Sequence, residues 1–193
     1  MKQSKTARPI RKLAAACIKS DIDIKSLNDI NFNKEIEETG KTFEENSYIK
    51  AKTIYNLYKT PVISDDSGLE VDALNGRPGV YSHRYAGEEC DDLKNNLKLV
   101  SELKNIENRN AHYTCCICYI NKNGLEKYAK GYVNGIIIDN PRGNNGFGYD
   151  PYFYINELNK TMAEITLEEK NKISHRQKAL IQLKEIINED LNH

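Results

Sequence analysis

The side chains best suited to chemistry gather in a few short segments. The first is Ser64-Asp65-Asp66-Ser67-Gly68, which runs directly on from the apolar pair Val62-Ile63. Adjacent side chains on an extended backbone point apart, so one aspartate can face a cleft while its neighbour braces the chain. Hard carboxylate oxygens at a strand end suit Mg²⁺, which keeps several waters and takes one or two carboxylates plus substrate phosphates. Gly68 is expected to supply a backbone dihedral that a side chain would forbid. The same letters also spell an Asx-rich surface turn. Glu35, Glu37 and Glu38, just before Thr39-Gly40, could supply a further metal ligand to Asp65 or Asp66, or form a solvated acidic face.

A second segment, Pro141 to Pro151, holds three glycines in Gly143, Gly146 and Gly148. They permit close approach of the backbone to a ligand, and Phe147 and Tyr149 offer flat faces on which a base could stack. Asp150 could accept from a purine ring N–H or brace the loop. No G-K-[ST] follows, so this is not a P-loop; a plain Gly-Asn loop between strands is the other reading. A third segment places Lys170, His175 and Arg176 around Ser174 at the head of the last helix. Free N–H groups and the helix dipole favour anions there, which reads as a phosphate clamp, or as Ser174 capping a helix among solvated basic residues. Together these segments offer acidic metal ligands, an aromatic glycine loop and a cationic helix start. That set suits a Mg²⁺-nucleoside phosphate. With no nucleophile-base pair of the hydrolase-triad type, metal-activated water is the economical hydrolytic mechanism.

These groups need a scaffold, and the pattern of the chain describes one. Thr42 with Glu45 forms a capping box, and Ile49, Ile54, Leu57 and Tyr58 give a helical stripe reaching Pro61. Leu93, Leu97, Val100 and Leu103 mark a second amphipathic helix. His112–Asn121 and Lys127–Asp139 are rich in Tyr, Val, Ile and Cys and flank Asn121-Lys122-Asn123-Gly124, the signature of an antiparallel hairpin. Pro151–Ile155 predicts one more strand, and Ala179, Leu180, Leu183, Ile186 and Ile187 predict a final helix from about Ser174. Helices interleaved with sequential and hairpin-linked strands predict a mixed-sheet α/β protein.

The chain has 193 residues, with 28 basic and 28 acidic side chains. A net charge of zero supplies none of the basic excess that phosphate-backbone binding requires, so no nucleic-acid partner is expected. No stretch approaches the roughly 20 apolar residues of a membrane span. The six-residue run Leu13–Ile18 is shorter than the roughly 7–15 residues of a secretory core, so no export signal is expected. Cys17, Cys90, Cys115, Cys116 and Cys118 form no disulfide framework. Cys115 and Cys118, three apart on a strand, would face opposite ways; reduced thiols in a cytoplasmic protein are the reading.

The ordered motifs Ser64-Asp65-Asp66-Ser67-Gly68-Leu69, Gly79-Val80-Tyr81-Ser82, Gly146-Phe147-Gly148-Tyr149-Asp150-Pro151 and Ser174-His175-Arg176 resemble the inosine triphosphate pyrophosphatase family, the XTP/dITP diphosphatases. Glu38-Thr39-Gly40 with Phe43, Asn46 and Lys50-Ala51 is similar to the segment before that family's first long helix. The resemblance covers about residues 20 to 190. It implies an elongated mixed sheet flanked by helices, two lobes with a central cleft, a Mg²⁺ requirement and a homodimer. It implies hydrolysis of ITP, dITP and XTP to the monophosphate and pyrophosphate. Asp66 would be metal ligand and general base, Glu38 a second ligand with Asp65 close by, and Ser67 a phosphate contact. Phe147, Gly148, Tyr149 and Asp150 would hold the base, and Lys170, His175 and Arg176 the phosphate and the 6-keto side. Donors there pair with a carbonyl oxygen and not with an amine. Residues 1–20 depart from the family pattern: no apolar strand and no [ST]-x-N-x-x-K phosphate loop is present, and Pro9 stands about where its lysine belongs. They form an atypical segment before a single domain at 21–193. A nucleotide-binding protein that has lost its phosphate loop, or a Maf-type pyrophosphatase, are the alternative readings.

Overall fold

The computed structural model describes residues 23–192, and the atypical segment 1–20 lies outside them. The frame is a five-stranded sheet in the order β1 (Val62–Val71), β2 (Asn110–Ile120), β3 (Glu126–Ile137), β4 (Phe153–Ile155) and β5 (Lys160–Thr161). Each described neighbour pair is antiparallel. Helices α1 (Phe43–Tyr58), α2 (Asp92–Glu102), α3 (Leu167–Ile173) and α4 (His175–Leu191) flank it, giving the expected α/β architecture. Asn121 closes the predicted hairpin between β2 and β3: its side-chain oxygen accepts from the amides of Asn123 at 2.9 Å and Leu125 at 3.0 Å.

Strand β2 shows why its sequence reads as an unbroken apolar run. Cys115, Ile117 and Tyr119 pack on Ala179, Leu180, Leu183 and Ile187 of α4, while Cys118 and Ile120 pack on Ala51 of α1. Both faces are covered, so no solvent side exists to demand alternation. Cys115 and Cys118 face opposite ways as expected, and both thiols are free. A separate core at the far end of the same three long strands gathers Leu69, Val71, Leu99, Leu103, Tyr113, Phe153 and Met162. Residues 64–68 of β1 lie between the two packing centres.

Several elements differ from their sequence-based forms. Leu57 and Tyr58, assigned to the buried stripe of α1, are exposed; its buried face is Phe43, Asn46, Ser47, Ala51 and Ile54. Helix α2 likewise exposes Leu93 and Leu97 and buries Asn95, Asn96 and Leu99. In both helices polar side chains turn inward because they have partners there. Helix α3, opened by a Thr166–Glu169 capping box, was not predicted, and it places Lys170 on a helix of its own.

Candidate active site

Asp65, Asp66, Ser67 and Gly68 lie inside a strand and not in a turn. They pair in register with Ile117, Cys116, Cys115 and Thr114 of β2, so ladder hydrogen bonding outweighs the weak strand preference of Asp, Ser and Gly. The expected role of Gly68 is corrected as well. Its φ is not positive. A Cβ there would lie 2.6 Å from the carbonyl oxygen of Gly79, 3.0 Å from the Phe43 ring, and in collision with Ser82 Oγ. Ser82 Oγ in turn accepts from the Leu69 amide at 2.9 Å and donates to Gly79 O at 2.6 Å. The glycine lets the segment 79–82 press against the strand beside Asp66.

One face of β1 meets α1. The Thr42–Glu45 capping box fixes the start of that helix, and Asn46 and Lys50 project one turn apart from it. Asn46 Nδ2 donates to Asp66 Oδ2 at 3.0 Å, while its Oδ1 accepts from the Gly40 amide at 2.8 Å. Lys50 Nζ lies 3.4 Å from Asp66 Oδ1 and 3.2 Å from Glu38 Oε1. Burial pushes the Asp66 carboxyl up from 3.8 to about 6; Lys50 and Asn46 oppose that rise, and Glu38 and Asp65 add to it. Burial would pull Lys50 down, but Asp66, Glu38 and Asp65 outweigh it and its shift is upward. The two partners thus shift in the same direction, which a simple ion pair would not do. One ammonium serves two carboxylates with a third close by, so positive charge is scarce: the ammonium is favoured and the buried carboxylate is not.

The other face of β1 meets α4. Arg176 Nη2 donates to Ser67 Oγ at 2.7 Å, and its Nε lies 3.6 Å from Asp65 Oδ2. Strand alternation turns Asp65 to the face opposite Asp66 and away from Glu38, against a guanidinium. Ser174 caps α4 by accepting from the Gln177 amide at 3.2 Å, the helix-cap reading of that residue. His175 is buried and stacks on Tyr113, ring centroids 5.0 Å apart and planes 14° apart. Burial, with Arg176 and Lys170 nearby, holds it well below the usual histidine range, so it is neutral. Arg176 Nη1 lies 3.3 Å from His175 Nε2 and can only donate, so Nε2 accepts and the proton sits on Nδ1. That buried Nδ1–H has no hydrogen-bond partner among the described residues.

The glycine loop stands beside these groups. Asp150, 2% exposed, accepts from the Phe147 amide at 2.8 Å and from Tyr113 Oη at 3.3 Å, and pairs with Lys170 Nζ. It braces the loop from inside. Lys170 Nζ also lies 5.0 Å from the centroid of the Phe147 ring, which is half exposed. Tyr149 is not a stacking face: it is buried in the far core, and its hydroxyl donates to Ser82 O at 2.8 Å.

The chain matches the Ham1 family over residues 3–186, which include all of these side chains. It belongs to the Ham1 family. A dITP/XTP pyrophosphatase of Bacillus subtilis is 51% identical over 167 residues, 86% of this chain and 84% of its own length. One of Bacillus licheniformis is 47% identical and covers 96% of both chains. Among solved structures, the Staphylococcus aureus Ham1 protein superposes with a TM-score of 0.90 at 40% identity, covering 97% of this chain and 96% of its own. A Ham1 protein from Coxiella burnetii gives 0.87 at 38% identity over 96% of each.

For a Ham1 chain, the arrangement can do two things. Glu38 and Asp66 form a pair of hard oxygen donors bridged by an ammonium, a cation already standing where a cation is wanted. No group of three or more His, Cys, Asp or Glu is placed to cage a metal among the described residues. That donor set fits Mg²⁺, which takes one or two carboxylates and leaves its remaining positions to water and phosphate. The opposite face offers Arg176 and the Phe147 ring to a ligand, with the buried His175 ring behind them. The chemical reading of the sequence did not include Asn46, Lys50 or Tyr113. The i, i+4 spacing of Asn46 and Lys50 was the signal for two of them; Tyr113 left none, because its role depends on the packing of α4.

Proposed function

We propose that this protein hydrolyses inosine- and xanthosine-type nucleoside triphosphates, ITP, dITP and XTP, to the monophosphate and pyrophosphate, with Mg²⁺ held by Glu38 and Asp66. The observation that carries the reading is the half-neutralised carboxylate pair: Asp66 and Glu38 share Lys50 Nζ at 3.4 and 3.2 Å. The names of relatives at 47–51% identity support the substrate class. Asp66, the more buried carboxylate of the pair, takes the proton of the attacking water. The water oxygen bonds to phosphorus as the P–O bond between the α and β phosphates breaks, and pyrophosphate leaves with that bond's electron pair. Mg²⁺ supplies charge neutralisation to the phosphates and acidity to the water when bound. Arg176 and Ser67 offer a donor pair to phosphate, and Lys170 adds a cation beside the loop. Phe147 stacks on the base, and a 6-oxo group accepts from Arg176 or His175. A 6-amino purine would set donor against donor. A homodimer and a cytoplasmic setting, which suits the free buried thiols, belong to the same proposal; sedimentation of the purified chain checks the former.

The test is pyrophosphate release from dITP, dGTP and dATP, with and without Mg²⁺, for the chain and for Asp66→Asn. Release confined to dITP, dependent on Mg²⁺ and lost in the variant is expected. A folded chain that binds dITP and releases nothing would instead be a nucleotide-binding protein.

A further inference from the structure

Helix α2 buries two asparagines on a surface where its leucines were available. Asn95 and Asn96 are 2% and 4% exposed, while Leu93 and Leu97 are 63% and 56% exposed. Asn95 fastens one segment, its Nδ2 donating to His83 O at 2.9 Å and its Oδ1 accepting from the Ala86 amide at 2.6 Å. Asn96 fastens another. Its Nδ2 donates to Gly148 O at 2.9 Å and to Asp92 O at 2.7 Å. One turn earlier, Asp92 Oδ2 accepts from the Gly148 amide at 2.9 Å. Both backbone polar groups of Gly148 are therefore held by α2, at a φ of 62° that disfavours other residues.

Phe147 stands between two such anchors. On its other side Gly146, at φ 78°, is pressed against the Asp150 carboxylate, where a Cβ would collide. The direction of the half-exposed ring is thus set by two backbone conformations, one fixed by Asp150 and one by α2. Asn96 keeps this arrangement at a cost. Its Oδ1 is buried without a hydrogen-bond partner among the described residues, a defect that an apolar γ-branched side chain would not carry. A side chain that worsens the fold while gripping a loop is better explained by the loop than by the fold.

We propose that Asp92 and Asn96 are positioning residues for base recognition: they clamp Gly148 and so aim the Phe147 ring at the purine, an inference that rests on the base-stacking reading of Phe147. Asp92→Ala and Asn96→Leu test it. Asp92 is exposed and leucine keeps the γ-branched shape and side-chain heavy-atom count of the buried amide, so both variants are expected to fold. Hydrogen exchange should show the Gly148 amide at least about tenfold faster in Asp92→Ala, with the Asp150 amide unchanged. In both variants KM for dITP should rise roughly tenfold with kcat within about threefold, while inhibition by inorganic tripolyphosphate, which has no base, stays as in the parent chain. Unchanged exchange at Gly148 overturns the clamp. Faster exchange with an unaltered KM for dITP, or equal weakening of dITP and tripolyphosphate, overturns its role in base recognition. An unchanged KM for dITP in Phe147→Ala would sink the stacking reading itself, and the Gly148 exchange would still decide the clamp.

Discussion

The two faces of β1 meet opposite electrostatic problems with residues that are adjacent in sequence. On the α1 face a single ammonium, Lys50, stands between Glu38 and Asp66, and the buried carboxyl of Asp66 is left short of positive charge. On the α4 face the cations have their own partners: Arg176 with Asp65 and Ser67, Lys170 with Asp150. What that face lacks, among the described residues, is acceptors for two buried N–H groups, on His175 and on Arg176 Nε. The first deficit is one of positive charge; the second is one of hydrogen-bond acceptors. One strand, through its two-residue side-chain period, thereby keeps the two deficits apart by one residue.

The sharpest way to break this contrast is to remove the ionic deficit. Asp66→Asn keeps the size and the Asn46 contact but cannot accept a proton, and dITP turnover is expected to fall roughly a thousandfold. A loss under about tenfold would move the base elsewhere. Lys50→Met deepens the deficit, leaving two carboxylates without their ammonium. Turnover should fall on the order of a hundredfold, and the acid limb of the pH–rate profile should move to higher pH, because the cation that lowers the Asp66 carboxyl is gone. An acid limb that stays in place would separate Lys50 from the titration of Asp66.

The recognition face should respond in selectivity and not in pH. His175→Phe keeps a ring to stack on Tyr113 while deleting the orphan N–H. The ratio of kcat/KM for dITP over dATP should fall about 10–100-fold, with the acid limb unmoved. A preserved ratio would assign the 6-oxo contact to Arg176 alone.

How far these faces are legible in the sequence differs between them. The hairpin and the helices α1, α2 and α4 follow from period and caps, and Asp66 stands out as one of two adjacent aspartates next to an apolar strand signal. Tertiary pairing hid the rest. The strand β1 runs through Ser, Asp and Gly because β2 holds its ladder, which no local propensity reveals. The buried faces of α1 and α2 are polar, so the apolar stripe pointed away from Asn46, Lys50, Asn95 and Asn96. Tyr149 and Phe147, two residues apart in one loop, look alike in sequence; one is core and the other half exposed because Tyr149 has Ser82 O as a partner.

The smallest effect tests the ionic deficit without any substrate. The Asp66 carboxyl is raised by burial to about 6 from 3.8, so between those values the folded chain binds a proton that the unfolded chain has released. Stability from this group is complete below pH 4 and declines as pH rises to about 6, above which both states are ionised and the penalty is constant. Other carboxylates titrate over the same range, so the readout is a difference. In a chelator, the melting temperature of Asp66→Asn minus that of the parent chain should be near its minimum at pH 4, grow through pH 6, and level off at a few degrees, on the order of 2–6 °C for a chain of this size. Added Mg²⁺ should shrink the difference at pH 8 by stabilising only the chain that keeps the carboxylate. A difference that is flat with pH would mean that Lys50 already compensates Asp66 in full, and the contrast between the two faces of β1 would reduce to geometry alone.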